Sequence, residues 1–209
     1  YKGTEENDTS DGFEAPSDIA VIDVIGPLVN RTYGIDALCG MQSYEQARSQ
    51  LINAVNDPSI GGILVRYDTP GGECSGVFEF ANTAFRLRGQ KPIFGACSMN
   101  CHSAGYLMAC ATCDTLYVSP TSGVGNVGVI AQLQNRSKFN EKVGFEYLTL
   151  FAGKHKARLN PNEKYSKEDT AWLQAKLDSL YGRFTASVAT FRGISQQQVI
   201  DTNAEAMDG

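Results

Sequence analysis

Histidine, tryptophan and long apolar runs are all scarce in this 209-residue chain, which has two histidines and one tryptophan. No apolar stretch approaches the ~20 residues that cross a bilayer, and the longest, 19–29 and 60–65, have the length of strands. A signal-peptide pattern is also lacking at the start. We therefore expect no membrane segment in this chain, although its first residue, Tyr1 rather than Met, leaves an upstream anchor or leader open.

Positive charge is also in short supply, because 18 Lys and Arg stand against 23 Asp and Glu and give a formal net charge of −5. Such a chain has no basic field with which to hold nucleic acid or an anionic membrane. No nucleic-acid partner is therefore predicted. The 42% hydrophobic and 20% charged residues are ordinary for a globular protein, and the length is enough for one sizeable core.

The cysteines are the main candidates for a metal site or for disulfides, and they stand at positions 39, 74, 97, 101, 110 and 113. Without a secretory signal they are predicted to be free, mostly buried thiols of a reducing compartment. A zinc site built on Cys110 and Cys113 is the rival interpretation. Only one Cys-x-x-Cys pair is present, however, and it falls in an apolar helix. We therefore predict no metal and no cofactor.

The chain divides into a flexible acidic lead-in at 1–16, with little to bury, and one domain at 17–209. Strands are predicted at 19–25, 62–67, 92–96, 115–118, 125–133 and 145–151, and helices at 43–55, 74–88, 103–113, 134–143, 166–191 and 195–200. This alternation predicts an α/β fold with a mostly parallel sheet and a long C-terminal helix.

Three loops follow predicted strands, at the edge where α/β folds collect their chemistry. In the first, Pro70-Gly71-Gly72 leaves backbone N–H groups unshielded, so it predicts either an oxyanion site or a plain turn. In the second, Ser103 begins a helix of small residues and is either a nucleophile or an N-cap. Each pattern is weak by itself.

A nucleophilic hydroxyl needs a base, and the third loop, 152–160, offers His155 and Lys156. His102 would have to fold back on its own neighbour, Ser103, so it is a poor partner. A lysine serves as a base when desolvation favours its neutral form. The alternative is that the lysines of this loop are ordinary solvated charges.

Taken together and in order, four motifs resemble the signal peptide peptidase A family of serine peptidases, and in particular its phage branch of capsid-assembly proteases. The motifs lie at 68–72, 99–105, 125–129 and 153–156, and the resemblance covers 18–209. It implies a crotonase-like fold related to that of Clp protease. It also implies a Ser–Lys dyad of Ser103 and Lys156, an oxyanion donor at Gly71 or Gly72, and ring- or dome-like homo-oligomers with active sites near protomer interfaces.

The function that the resemblance implies is cleavage of scaffold and portal proteins during procapsid maturation, inside the forming capsid in the host cytoplasm. The alternatives are a bacterial peptidase of membrane-derived signal peptides and an inactive family member that serves as an assembly factor. Two departures stand out. Asn126 replaces a family serine that helps to orient the lysine, so either its amide oxygen takes that role or the task falls to another residue. The chain also ends at Gly209, short of the family's usual end, which indicates truncation or self-cleavage.

Overall fold

The computed structural model describes residues 18–34 and 39–209, so the predicted lead-in at 1–16 lies outside the described residues. The described residues form two compact units, one of 18–34, 39–124 and 208–209 and the other of 125–207. The strands are β1 (Asp18–Ile25), β2 (Leu28–Val29), β3 (Gln42–Ser43), β4 (Ile60–Thr69), β5 (Ile93–His102), β6 (Thr115–Val118), β7 (Gly123–Gly125) and β8 (Ala206–Asp208). The helices are α1 (Tyr44–Asn56), α2 (Val77–Leu87), α3 (Ala104–Thr112), α4 (Ser137–Val143), α5 (Lys167–Arg192) and α6 (Gln196–Ile200).

A parallel sheet forms the centre of the first unit, which confirms the predicted α/β class. Strand β4 pairs in parallel with β1 on one side and with β5 on the other, and β6 pairs in parallel with β5. Parallel neighbours require crossover connections, and helices supply them here. The carboxyl ends of β4 and β5 meet with Thr69 opposite Cys101. This register brings the loop after β4 to the same edge as the turn after β5.

Helix α3, which follows that turn, is buried along its whole length, since all nine residues of Ala104–Thr112 are buried. It is built from small and apolar side chains, and it packs against α2 and β5. A helix that is apolar on every side is typical of a protein interior. Ser103, the residue directly before α3, is therefore attached to a fully buried helix.

The second unit contains the long helix α5, whose 26 residues confirm the predicted C-terminal helix. The Ser166 side chain caps its start by accepting a hydrogen bond from the Asp169 N–H, and Gly193 ends it at φ +66°. Both signals are the usual ones for helix termini. Of the helices in the described part of the chain, none has both the length and the apolar character for crossing a bilayer.

Two strand predictions are wrong. Of the strand predicted at 125–133, only Gly125 is in β7, and the one predicted at 145–151 has no regular structure. A sequence of β-forming residues becomes a strand only where a partner strand can pair with it. Large apolar side chains of this segment are exposed instead, with Leu148 and Leu150 each 84% exposed. By contrast, β5 runs well past the predicted 92–96, because its pairing with β4 continues to Cys101.

Candidate active site

Ser103 lies in a strained turn between β5 and α3. Its backbone has φ +52° and ψ −121°, a conformation that residues with a Cβ rarely adopt and that costs about 1–3 kcal/mol. Although Ser103 occupies the N-cap position of α3, its side chain makes no capping hydrogen bond. The N-cap interpretation therefore does not account for this serine. Strain of this kind is characteristic of functional residues held in place by their surroundings.

Gly71 lies directly against this turn. A Cβ placed on Gly71 would come 2.7 Å from the Ser103 Cβ and 3.0 Å from the His102 carbonyl oxygen, and its φ is +97°. Only glycine satisfies both the close approach and the backbone conformation. Nearby, a Cβ on Gly105 would come 2.3 Å from Thr69 Cγ2. The structure thus brings the predicted oxyanion loop and the predicted nucleophile into contact.

The two glycine N–H groups of this loop differ in whether they already donate to an acceptor. The Gly71 N–H already donates to Thr69 Oγ1 at 3.1 Å. The Gly72 N–H has no acceptor within 18–34 and 39–209. Of the two predicted oxyanion donors, Gly72 is the one that remains available.

The position of Gly72 is fixed by strand β2, with which it forms an isolated parallel bridge at Leu28. Leu28 donates to the Gly71 carbonyl at 3.0 Å, and Glu73 donates to the Leu28 carbonyl at 2.9 Å. In such a bridge the N–H of the central residue points away from the partner strand. The Gly72 N–H is thus directed away from β2. A second donor of this region that lacks an acceptor among the described residues is the Ala104 N–H at the start of α3.

Two buried hydroxyls that the sequence did not single out anchor this loop. Thr69 Oγ1 donates to the Gly26 carbonyl at 2.7 Å, and Tyr44 on α1 donates through its hydroxyl to the Glu73 carbonyl at 2.8 Å. Burial raises the pKa of Tyr44, so its hydroxyl stays protonated and available as a donor. Thr69 could have been found as a hydroxyl two residues before a glycine, a local turn motif. Tyr44 has no local signal.

The His102 imidazole is engaged in contacts of its own. Its Nε2 lies 3.1 Å from Asn100 Oδ1, and a Cβ on Gly123 would come 2.7 Å from its Cε1. Its Nδ1 is buried without a hydrogen-bond partner in the described residues. That His102 is a poor base for its neighbour stays a prediction.

Lys156 lies in the second unit, in a series of tight turns, and its side chain is exposed. Its N–H donates to the Gly153 carbonyl at 3.0 Å, and Gly153 has φ +98°. The neighbouring His155 is exposed as well. Within the described part of the chain, the Lys156 amine forms neither an ion pair nor a hydrogen bond.

Arg158 anchors the loop that carries Lys156 to the start of α5. Its side chain is only 10% exposed, lies 2.6 Å from the Asp169 carboxylate and 3.0 Å from that of Glu168, and stacks at 5.0 Å over the Trp172 ring. The Ser166 hydroxyl, aided by Arg158, holds the pKa of Asp169 below its ordinary value. Lys156 is therefore mounted on an anchored loop.

Asn126 also belongs to the second unit, in the left-handed region at φ +53° that asparagine tolerates well. Its N–H donates to the Glu205 carbonyl at 3.0 Å, and its carbonyl accepts from the Gly128 N–H at 2.9 Å. The side chain is exposed. No hydrogen bond joins it to Lys156 in the residues that the structure describes.

All six cysteines are free thiols, and four are buried: Cys97, Cys101, Cys110 and Cys113. Burial raises the pKa of the Cys113 thiol to about 12, so this group remains protonated at neutral pH. Over 18–34 and 39–209, no cluster of three or more histidine, cysteine or carboxylate side chains could hold a metal ion. The buried thiols are therefore part of the core around α3.

Comparison with known proteins gives a consistent result. The model of peptidase family S49 matches residues 86–207. The chain is 35% identical over 198 residues to capsid assembly protease C of Escherichia phage lambda, and 31% identical over 197 residues to head-tail preconnector protein GP5 of Enterobacteria phage P21. It is also 30% identical over 173 residues to a putative signal peptide peptidase SppA of Enterococcus faecium.

These similarities cover most of this chain but only part of each relative. The two phage alignments include 94% of this chain and 45% and 39% of the respective relatives. The alignment to the Enterococcus faecium protein includes 80% of this chain and 47% of that relative. The chain thus spans less than half the length of these curated proteins.

Proposed function

The chain belongs to peptidase family S49, and on this premise we propose that it is a serine endopeptidase with Ser103 as nucleophile and Lys156 as general base. The observation that carries the proposal is the strained Ser103 backbone, at φ +52°, pressed against the glycine loop and without a capping bond. This geometry leaves the hydroxyl free while the Gly72 and Ala104 N–H groups nearby lack acceptors in the described residues.

The proposed reaction is acyl transfer in two halves. Neutral Lys156 takes the proton of the Ser103 hydroxyl as its oxygen attacks the peptide carbonyl. The Gly72 N–H, aided by that of Ala104, stabilises the oxyanion, and one such donor is worth about 2.7–4 kcal/mol in other proteases. Lys156 then gives the proton to the leaving amine, and water repeats the sequence on the acyl-enzyme.

Self-association is part of the proposal because of the surroundings of Lys156. A lysine is neutral near pH 7 only when it is shielded from water, whereas Lys156 is exposed in the single chain. We propose that homo-oligomers, with active sites near the interfaces between protomers, provide this shielding. Asn126, whose exposed amide is likewise unbonded in the described residues, is proposed to orient the lysine in the assembled state.

The proposed substrates are scaffold and portal proteins, cleaved inside the forming capsid in the host cytoplasm. The support comes from the names of the two phage relatives, a capsid assembly protease and a head-tail preconnector protein, whose alignments each include 94% of the chain. The parallel sheet and long C-terminal helix fit the proposed crotonase-like fold. A role in degrading signal peptides is the second candidate, supported by the 30% identity to a putative signal peptide peptidase.

The test is mass spectrometry of the full-length protein and its Ser103→Ala variant after incubation with a phage scaffold protein. The proposal predicts discrete scaffold fragments with the wild type alone. Intact scaffold with both proteins, in a sample that does cleave a hydrophobic signal peptide, would favour the second candidate. Equal fragmentation by both proteins would exclude Ser103 as the nucleophile.

A further inference from the structure

Thr69, the last residue of β4, is fully buried and contacts three parts of the first unit at once. Its hydroxyl donates to the Gly26 carbonyl at 2.7 Å and accepts from the Gly71 N–H at 3.1 Å. Its methyl group lies against Gly105, where an added Cβ would come within 2.3 Å of Thr69 Cγ2. One side chain thereby joins the turn after β1, the glycine loop and helix α3.

The Thr69 hydroxyl determines which backbone N–H of the glycine loop is already hydrogen-bonded. Because the Gly71 N–H is bound to Thr69 Oγ1, it is not available to an oxyanion. The same bond fixes the Pro70–Gly71 peptide group. The next peptide group, which carries the Gly72 N–H, is held by the bond from the Leu28 N–H to the Gly71 carbonyl, and the Glu73 N–H bonds to the Leu28 carbonyl beyond it. An N–H held in advance at the position of a developing charge stabilises it without rearrangement.

We propose that Thr69 is a positioning residue of the active site. Its hydroxyl holds the Gly71 N–H so that the Gly72 N–H meets the substrate oxyanion, and its methyl group sets the distance from the loop to the helix that begins after Ser103. This inference rests on the proposed peptidase function. It adds a residue that touches neither substrate nor nucleophile and acts through the glycine loop.

Thr69→Val and Thr69→Ser separate the two parts of the side chain, since valine keeps the methyl group and loses the hydroxyl, whereas serine does the reverse. Thr83→Val is the matched control: the Thr83 hydroxyl also bonds to a backbone carbonyl, that of Glu79 at 2.9 Å, but on helix α2. The rate of covalent labelling by a fluorophosphonate probe reports on the oxyanion site, because the phosphonyl oxygen gains charge as serine attacks.

The proposal predicts that Thr69→Val slows labelling by about 10- to 100-fold, the scale of a misplaced donor, and that Thr69→Ser recovers most of the rate. With fluorescent casein as the substrate, Thr69→Val is expected to lower kcat while KM stays within about twofold. Thr83→Val is expected to match the wild type. A Thr69→Val protein that is folded and labelled at the wild-type rate would overturn the proposal.

Amide hydrogen exchange at Gly71, resolved by nuclear magnetic resonance, tests independently of activity whether the Thr69 hydroxyl restrains the loop. In the wild type the Gly71 amide is expected to be protected, and Thr69→Val is expected to speed its exchange about tenfold or more. Unchanged exchange would overturn the positioning role even in an active enzyme. Absence of labelling in the wild type would instead contradict the peptidase function, while the exchange rates still decide what Thr69 holds.

Discussion

Replacing Gly72 by alanine is expected to inactivate the protein more than it destabilises it. An alanine Cβ at this position would lie 1.9 Å from the Leu28 carbonyl oxygen and 2.5 Å from its carbonyl carbon. Because both contacts are with backbone, the loop must move away from β2. The required shift is on the order of 1 Å, and a misplacement of that size costs about 100-fold in rate.

The stability cost follows from the same displacement. Moving the loop weakens two backbone hydrogen bonds, from Leu28 to Gly71 at 3.0 Å and from Glu73 to Leu28 at 2.9 Å. At about 1 kcal/mol for each bond, the free energy of unfolding should fall by about 2 kcal/mol. A domain of ordinary stability remains folded after such a loss.

The assay combines fluorophosphonate labelling of Ser103 with urea unfolding of the same samples. Gly62→Ala is the matched control, since a Cβ on this strand glycine would meet nothing closer than the Pro92 carbonyl oxygen at 3.7 Å. We expect about 100-fold slower labelling for Gly72→Ala and the wild-type rate for Gly62→Ala. A folded Gly72→Ala protein labelled at half the wild-type rate or more would refute the reasoning.

Three further predictions concern the dyad, the loop that carries it and the buried thiols. Ser103→Ala and Lys156→Met should each abolish scaffold cleavage, measured by mass spectrometry, with unchanged circular dichroism; near-normal cleavage by either would contradict the dyad. The pKa of Asp169 is lowered in the folded state, first by its bond from the Ser166 hydroxyl and then by Arg158. These bonds should therefore contribute fully above about pH 4 and be lost as the pH falls through the folded pKa. Thermal unfolding of Asp169→Asn should therefore differ from the wild type at pH 7 and converge with it only as the pH falls below the lowered pKa of Asp169, whereas a constant difference would contradict this. Iodoacetamide should modify the folded protein only at its exposed thiols, those of Cys39 and Cys74. Modification of a buried thiol would show that the core opens.

Helix positions were predictable from sequence because their signals are local. Ser43 and Ser166 each cap the helix that the apolar spacing predicted, and both accept the expected hydrogen bond from the first turn. Strand pairing is not local, so the β-forming residues at 145–151 gave a wrong prediction, and the length of β5 was underestimated. Whether such a segment becomes a strand depends on a partner elsewhere in the fold.

In the candidate site, too, local sequence patterns were predictable and contacts between distant residues were not. The resemblance of the four motifs to a peptidase family singled out Ser103 and the glycine pair, but it could not choose between Gly71 and Gly72. In the structure the Thr69 hydroxyl accepts from the Gly71 N–H, which is why Gly72 is the donor that we propose. The tether from Tyr44 to the Glu73 carbonyl joins residues 29 positions apart and has no counterpart in any local pattern. Likewise, only the backbone geometry distinguishes Ser103 from an ordinary N-cap.

The most direct test of the central claim is to locate the fluorophosphonate adduct by peptide mass spectrometry in the full-length wild type, Ser103→Ala and Lys156→Met. A Ser–Lys dyad predicts one adduct, on the peptide that contains Ser103, and its loss in both variants. An adduct on another residue, or equal labelling of the wild type and Ser103→Ala, would contradict the assignment of Ser103 as the nucleophile.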